Sequence, residues 1–259
     1  NLFTKSAKDF LDSWFESDHI KACFGFDSIV GNYASPETPG SAYVLLHHVF
    51  GEIDGEKGAW GHAVGGMGSI TQLMKNVCEE KGVEISTNAG VEKVLIKNNK
   101  AIGVMLEDGS EVFADKVISN LNPKLLFKKL VDRNDVNQEY RRKILNYKCG
   151  SGTFRMNVAL SELPDFNCLP GKEISEHHKS GIVIAPSLTY MDQAFTDAKQ
   201  YGWSKNPIVE MLIPSTVDST LAPKGKHVAS LFCQQFAPTL PDNKSWHDEK
   251  TNAANTIIE

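Results

Sequence analysis

The first 50 residues carry apolar side chains at helical spacing. One stripe occupies positions i, i+1, i+4 and i+5 and consists of Phe10, Leu11, Trp14 and Phe15. Such spacing places the side chains on one face of a helix. A second apolar segment follows, and a further helix is predicted for residues 41–50. The glycine-rich stretch 51–61 carries several charged residues, which indicates a surface loop.

The clearest pattern lies between residues 59 and 122. It begins with a strand predicted for Trp60–Gly66, and a helical apolar stripe then follows the glycines and ends at Gly82, a suitable helix stop. Five short strands are predicted after it: Val83–Ser86, Val91–Lys97, Ala101–Leu106, Glu111–Phe113 and Lys116–Ser119. The pairs Asn98-Asn99 and Asp108-Gly109 are typical hairpin turns. This order predicts an α/β unit with an antiparallel meander inserted.

The remaining residues alternate strands with helices. Two helices are predicted at about 123–131 and 135–147, one at Leu188–Tyr201, and one in the last segment, 243–259. Strands are predicted at Thr153–Leu160, Gly181–Ala185, Ile208–Pro214 and Val228–Gln235. Since runs of strands separated by single helices are typical of α+β domains, we expect an antiparallel sheet here.

Composition excludes several classes of protein. The chain has 259 residues, of which 41% are hydrophobic, and a net charge of −5. These values are typical of a globular protein and give no electrostatic basis for binding nucleic acid. The apolar runs are too short for a transmembrane helix. Five cysteines without a CxxC pair predict no zinc or dithiol site, and we expect most of them to be reduced core residues.

Phosphate-binding motifs are incomplete. Two GxG triplets occur, at residues 66–68 and 150–152, but neither extends to GxGxxG. The free N–H groups of the run Gly65–Gly68 at the helix start could hold an anion, although a tight strand-to-helix turn is the favoured interpretation. His62 could act as an acid or base if its segment lines a cavity, whereas a core position is favoured. The adjacent histidines at 47–48 and 177–178 point apart and are poor metal ligands, so we expect one solvated and one packed ring in each pair.

Residues 65–122 resemble the phytoene-desaturase-like members of the amine-oxidase-like flavoproteins. Four short motifs follow the glycines and the helix in order: G-V-x-I at 82–85, V-x-x-V at 91–94, G-V-x-L-x-D-G at 103–109 and A-D-x-V-I-S-N at 114–120. Two further stretches, Pro39–Gly68 and Ile213–Phe232, resemble one branch of that group. The resemblance extends over nearly the whole chain.

The resemblance implies a fold class of α/β with α+β: part of an FAD-binding, Rossmann-like domain interleaved with an antiparallel-sheet substrate domain. The implied domains are 1–58 (helical part of the substrate domain), 59–122 (returning part of the FAD domain with the meander) and 123–259 (the rest of the substrate domain). Val91 would lie near the adenine, Ser119 and Asn120 would approach the cofactor, and Trp60–Gly66 would pass the flavin and the substrate. Gly65 and Gly66 are therefore candidate cofactor contacts too.

The implied activity is that of an FAD-dependent oxidoreductase on an unidentified, apolar small-molecule substrate. A flavin accepts hydride itself, so few protein groups are needed, and no catalytic residue and no metal ligand is named. The family's amino-terminal phosphate-binding turn and carboxy-terminal glycine-rich segment have no counterpart here, and no Met precedes Asn1. We therefore expect an internal piece that does not bind FAD tightly and is inactive alone, from a protein located in the bacterial cytoplasm or the mitochondrion. The alternatives are a non-catalytic scaffold that keeps the fold and a stand-alone lipid- or small-molecule-binding domain; the oligomeric state stays open.

Overall fold

A computed structural model describes residues 2–259. The amino-terminal part is helical, as predicted. Its helices are α1 (Ala7–Asp12), α2 (Asp18–Phe26) and α3 (Ser41–His47). Ser6 caps α1, because its hydroxyl accepts a hydrogen bond from the Asp9 N–H at 3.0 Å. The loop that follows contains a two-residue hairpin, β1 (Glu52–Ile53) and β2 (Glu56–Lys57).

The predicted meander forms in the middle of the chain. Its elements are helix α4 (Met67–Glu80), strands β3 (Val91–Lys97), β4 (Lys100–Leu106) and β5 (Glu111–Phe113), the helical turn α5 (Pro123–Leu125) continued as a π-helical turn at Leu126–Leu130, and helix α6 (Gln138–Asn146). Helix α4 ends as expected, because Gly82 adopts a φ of 77° and the Val83 N–H bonds the Cys78 carbonyl. Asn98 and Asn99 both have positive φ, which is what a tight hairpin turn between β3 and β4 requires.

The second half of the chain builds a four-stranded antiparallel sheet in the order β6-β9-β8-β7. Its elements are β6 (Phe154–Leu160), α7 (Glu176–Lys179), β7 (Ile182–Ile184), α8 (Leu188–Tyr201), β8 (Trp203–Leu212), β9 (His227–Phe236) and α9 (Trp246–Ile258). Two short 3-10 turns, Pro214–Thr216 and Ser219–Leu221, connect β8 to β9. The predicted strands and the predicted helix at Leu188–Tyr201 are thus confirmed.

The two faces of this sheet are covered by different elements. Alternating side chains of the strands point to opposite faces. Val209, Leu231 and Cys233 lie on one face with Ala253 and Trp246 of α9. Ile208 lies on the other face, in a core formed with α1, α2, α3 and α8. Glu210 also lies on this second face, in a row with Phe232 and Arg155 of the neighbouring strands.

The chain forms two compact units. The sheet unit comprises residues 2–72 and 150–259, and the meander unit comprises residues 73–149. Residues 123–149 are assigned by sequence to the substrate domain, yet they pack on β3 in the meander unit. The functional division into FAD and substrate domains stays a prediction; the compact units divide the chain at other points.

Several local predictions were wrong. Val83–Ser86, Lys116–Ser119 and Trp60–Gly66 form no strand in the structure. A strand requires a neighbour to satisfy its N–H and C=O groups, and none pairs with these segments among residues 2–259. Ile118 accordingly stays 93% exposed. The cysteines also differ from the expectation that most lie in the core, because only Cys233 is buried.

Candidate functional site

A cavity of about 640 Å³ opens on one face of the four-stranded sheet. We call it the sheet-unit cavity, because every residue that lines it belongs to that unit. Its wall is apolar over much of its area, through Phe26, Val30, Trp60, Leu212, Ile213 and Phe232. It also contains six ionisable side chains: Asp27, His48, His62, Arg155, Lys179 and Glu210. The size and the mixed lining are typical of a small-molecule site.

Strand register explains how distant residues meet in this cavity. Arg155 of β6 pairs with Phe232 of β9, and Phe232 pairs with Glu210 of β8. Residues opposite one another in neighbouring strands share a face of the sheet, so the three side chains form a row. The Arg155 guanidinium lies over the Phe232 ring, 5.4 Å from its centroid, and donates to the Ser230 hydroxyl at 2.9 Å. The row therefore has a cationic end and an anionic end with an aromatic ring between them.

Two carboxyls of the cavity have perturbed acidity. Burial raises the pKa of Glu210, and the nearby charge of Asp27 raises it further, while Arg155 and His48 partly oppose the shift. Burial also raises the pKa of Asp27, with His48 opposing. Desolvation disfavours the charged form of a carboxyl, which is why burial acts in this direction. Perturbed carboxyls in a cavity are typical of functional sites.

His48 directly follows α3, and its ring bonds the last turn of that helix. Its Nδ1 lies 2.9 Å from the Val44 carbonyl oxygen, one turn back in α3. A carbonyl only accepts, so Nδ1 carries a proton and donates it to Val44. His47, its neighbour, is exposed, which confirms the expectation of one solvated and one packed ring for this pair. For the second pair that expectation was wrong, because His178 is fully buried and His177 is half-buried, its ring packed 4.0 Å from that of His178.

His62 lines the cavity and is not a core residue, which corrects the favoured interpretation. Its side chain is 40% exposed, and its Nε2 lies 3.5 Å from the Asp218 carboxylate, which is 5% exposed. Asp218 accepts bonds from the Thr220 hydroxyl and N–H and from the Gly65 N–H, and these lower its pKa to about 2. Asp218 therefore fastens residues 62–65 to the turn that follows β8.

The two glycines before α4 serve a tight turn. Gly65 and Gly66 have φ of 82° and 80°, which only glycine adopts readily. The Gly65 N–H bonds Asp218 at 2.8 Å, and the Gly66 N–H bonds the Ala63 carbonyl at 2.8 Å. Because both donors already have acceptors, these residues do not fit a phosphate. Their predicted contact with a cofactor stays a prediction.

The meander unit has a cavity of its own, also of about 640 Å³. The structure brings three predicted cofactor contacts together there, since Val91, Ser119 and Asn120 all line it. The rest of the wall is mainly aliphatic, from β3, β4, α5 and the π-helical turn. An aliphatic wall beside a hydroxyl and an amide fits a planar heteroaromatic ring such as adenine.

The acidic residues of the sheet-unit cavity were missed at the level of sequence. A signal was present: Glu210 interrupts the apolar run of residues 208–213 on the predicted strand Ile208–Pro214. A charge at a core position is uncommon without a functional or structural reason. No comparable signal marks Asp27 or His48, because their proximity to Glu210 arises only in the folded sheet unit.

Metal and membrane sites receive no support. Within residues 2–259 no three His, Cys, Asp or Glu side chains are arranged to hold a metal ion. In the same part of the chain, no helix has the length and apolar composition that a membrane span needs.

Comparison with known sequences identifies a family match and curated relatives. The family model "Flavin containing amine oxidoreductase" matches residues 5–153. Pyridine nucleotide-disulfide oxidoreductase domain-containing protein 2 of Rattus norvegicus is 36% identical over 256 residues, or 97% of this chain and 44% of that protein. The phytoene desaturase (lycopene-forming) of Pseudescherichia vulneris is 25% identical over 231 residues, or 89% of this chain and 43% of that protein. The predicted resemblance to both is confirmed, and the chain spans less than half the length of either relative.

Comparison with solved structures supports the fold. An oxidoreductase from Methanosarcina mazei matches with a TM-score of 0.63 and 20% identity, over 98% of this chain and 50% of that one. The PF1083 protein from Pyrococcus furiosus matches with a TM-score of 0.56 and 14% identity. Together with the helices and antiparallel sheets described above, these matches confirm the predicted fold class.

Proposed function

The chain belongs to the flavin-containing amine oxidoreductase family, and from that premise we propose that the full-length protein is an FAD-dependent oxidoreductase acting on a small molecule with a large apolar part. The observation that carries the proposal is the sheet-unit cavity, which offers about 640 Å³ with an aromatic and aliphatic wall. Family membership implies a flavin cofactor; the choice of FAD and the nature of the substrate are our inference.

The proposed cofactor contacts lie in the meander unit. Val91, Ser119 and Asn120 would hold the adenine end of FAD in the meander-unit cavity. When bound, FAD supplies a hydride acceptor, and the protein positions the substrate and excludes water. Gly65 and Gly66 would let the cofactor come close to the backbone beside α4. Their N–H groups would not bind it, because both already have acceptors.

We also propose that this chain is an internal part of a longer protein and does not bind FAD tightly alone. Three observations support this. The chain spans 44% of its rat relative. Two strand-like segments, Val83–Ser86 and Lys116–Ser119, have no partner strand among residues 2–259. The apolar side chains Leu73 and Met74 of α4 are more than 60% exposed, which is unusual for a helix stripe in a complete domain.

The test is the cofactor content of the full-length protein. Purified under mild conditions, it should show the visible absorption of an oxidised flavin, and the released cofactor should have the mass of FAD. The chain of 259 residues, titrated with FAD and followed by flavin fluorescence, should show no binding at micromolar concentrations. A colourless full-length protein would contradict the proposal and favour a non-catalytic scaffold that keeps the fold. Micromolar FAD binding by the chain alone would contradict the second part.

A further inference from the structure

His62 is the histidine of the sheet-unit cavity that has a carboxylate partner. Its Nε2 lies 3.5 Å from Oδ2 of Asp218, and within residues 2–259 no other histidine forms an ion pair. His48, the second histidine of the cavity wall, bonds the Val44 carbonyl. A carboxylate only accepts hydrogen bonds, so Nε2 of His62 carries a proton. In the neutral ring the lone pair is then on Nδ1, which takes no part in this contact.

Asp218 orients the ring of His62 but does not need it as a hydrogen-bond donor. Its Oδ1 accepts from the hydroxyl of Thr220 at 2.7 Å and from the N–H of the same residue at 3.0 Å. Its Oδ2 accepts from the Gly65 N–H at 2.8 Å. Three donors therefore satisfy this carboxylate, which is 5% exposed, without His62. The ring of His62 is 40% exposed, so it contacts both a buried anion and the cavity.

From this geometry we propose that His62 accepts the proton that a substrate in the sheet-unit cavity loses on oxidation, and that Asp218 is the residue that positions it. The inference rests on the proposed function, because it takes this cavity as the substrate site of an oxidoreductase. Oxidation to a double bond breaks a C–H bond of the substrate, and the hydride leaves with both electrons to the bound flavin. The hydrogen on the neighbouring atom leaves as a proton to Nδ1 of His62, and its bonding pair forms the double bond.

The surroundings of His62 favour proton transfer to its ring. Trp60 and Val217 line the same cavity and are apolar. The ring becomes positively charged when it takes up the proton, and a surrounding of low polarity strengthens its attraction to the Asp218 carboxylate. A carboxylate that orients a histidine and stabilises its charged form is the arrangement on which proton transfer by Asp–His pairs depends.

A chromogenic proton abstraction tests the proposal without a known substrate. 5-Nitrobenzisoxazole gives up its ring C–H proton to a base, the C–H bonding pair forms a nitrile, and the N–O bond breaks to release a yellow phenolate. No electrons pass to a cofactor, so the rate reports on the base alone. The full-length protein should catalyse this elimination at about pH 8, where histidine is ordinarily neutral. His62→Gln should lower kcat about tenfold or more, since a positioned general base contributes about 10²–10⁴-fold with a natural substrate.

Two variants distinguish orientation of the ring from stability of the turn. Asp218→Asn removes the charge beside His62 and should lower kcat about tenfold, with KM nearly unchanged because Asp218 does not line the cavity. Thr220→Val removes one bond to Oδ1 of the same carboxylate and keeps its Oδ2 beside the ring, so it should lower kcat less. A purely structural role of Asp218 predicts equal losses in both variants.

Loss of a histidine outside the cavity is the matched control. His247 is exposed on α9, and His247→Gln should leave kcat unchanged. The melting temperature and the flavin absorbance of every variant check that the fold and the cofactor site are intact.

Four outcomes would overturn the inference: no elimination above the buffer rate, an unchanged kcat in His62→Gln, equal losses in Asp218→Asn and Thr220→Val, or dependence of the rate on Glu210 or Asp27 in place of His62. Failure of the proposed function gives a different result. A colourless protein that catalyses the elimination through His62 would refute the flavin proposal and keep His62 as the base of this cavity. A flavin-containing protein whose rate is independent of His62 would keep the proposed function and refute the inference.

Discussion

Gln235 should determine the stability of the loop beside the cavity. Its side chain is fully buried in β9. The Nε2 group donates to the carbonyls of Asn32 at 3.1 Å and Ala34 at 2.9 Å, and the neighbouring Gln234 accepts from the Gly31 N–H at 3.1 Å. These bonds attach residues 31–34 to the sheet, directly after Asp27 and Val30 in the loop that follows α2, which line the cavity.

Two substitutions separate the contributions of this side chain. Gln235→Met keeps the volume and leaves the buried Ala34 carbonyl without a donor, which costs about 1–3 kcal/mol. Part of that loss is offset, because the Oε1 of Gln235 is itself buried without a partner, so about 1–2 kcal/mol is expected. Gln235→Ala adds a cavity, and truncations of this size bring the total to about 3–5 kcal/mol. For a unit of this size each kcal/mol lowers the melting temperature by about 2–4 °C, which gives about 6–20 °C for Gln235→Ala.

Thermal unfolding followed by near-ultraviolet circular dichroism measures this directly. The rings of Phe154, Phe236 and Trp246 pack within 6.2 Å of one another next to β9 and report on the sheet unit. Gln193→Ala is the control, because that side chain is exposed on α8 and bonds only Asp197; it should change stability by less than about 0.5 kcal/mol. If Gln235→Ala melted within about 2 °C of the parent protein, the assigned role of these hydrogen bonds would be wrong.

Two further predictions concern ionisation. The hydrogen bonds from Thr220 and Gly65 lower the pKa of Asp218 to about 2. The contribution of this carboxylate to the stability of the fold is therefore fully present above the unfolded pKa of about 4 and is lost as the pH falls toward 2. The NMR amide resonance of Gly65 should titrate with a midpoint near 2, and a midpoint near 4 would contradict the bond. Burial raises the pKa of the Cys233 thiol to about 12. Iodoacetamide at about pH 8 should therefore modify the exposed Cys23 and Cys149 in the native protein, and Cys233 only after unfolding. Rapid labelling of Cys233 in the native protein, detected by mass spectrometry, would contradict its burial.

Elements determined by residues close together in the sequence were predicted correctly, whereas strands that depend on a distant partner strand were not. The β3–β4 hairpin is determined locally, because Asn98 and Asn99 supply the left-handed conformation that the turn needs, and its position was predicted correctly. Helix α8 was predicted to the residue, since Ser187 caps its start and Gly202 follows its end. Val83–Ser86 and Lys116–Ser119 have equally strand-like sequences, yet a strand also depends on a partner, which local pattern does not reveal.

The position of Glu210 is the strongest structural argument for a ligand. A carboxylate in the middle of a strand whose neighbours Ile208 and Val209 are buried violates the apolar pattern of that strand. Arg155 and His48 offset only part of the desolvation of this carboxyl, since burial is the largest influence on its pKa and raises it. The guanidinium of Arg155 donates to Ser230. Departures from local consistency that are only partly compensated are expected where function requires them, and Glu210 lies in the cavity that we take as the substrate site.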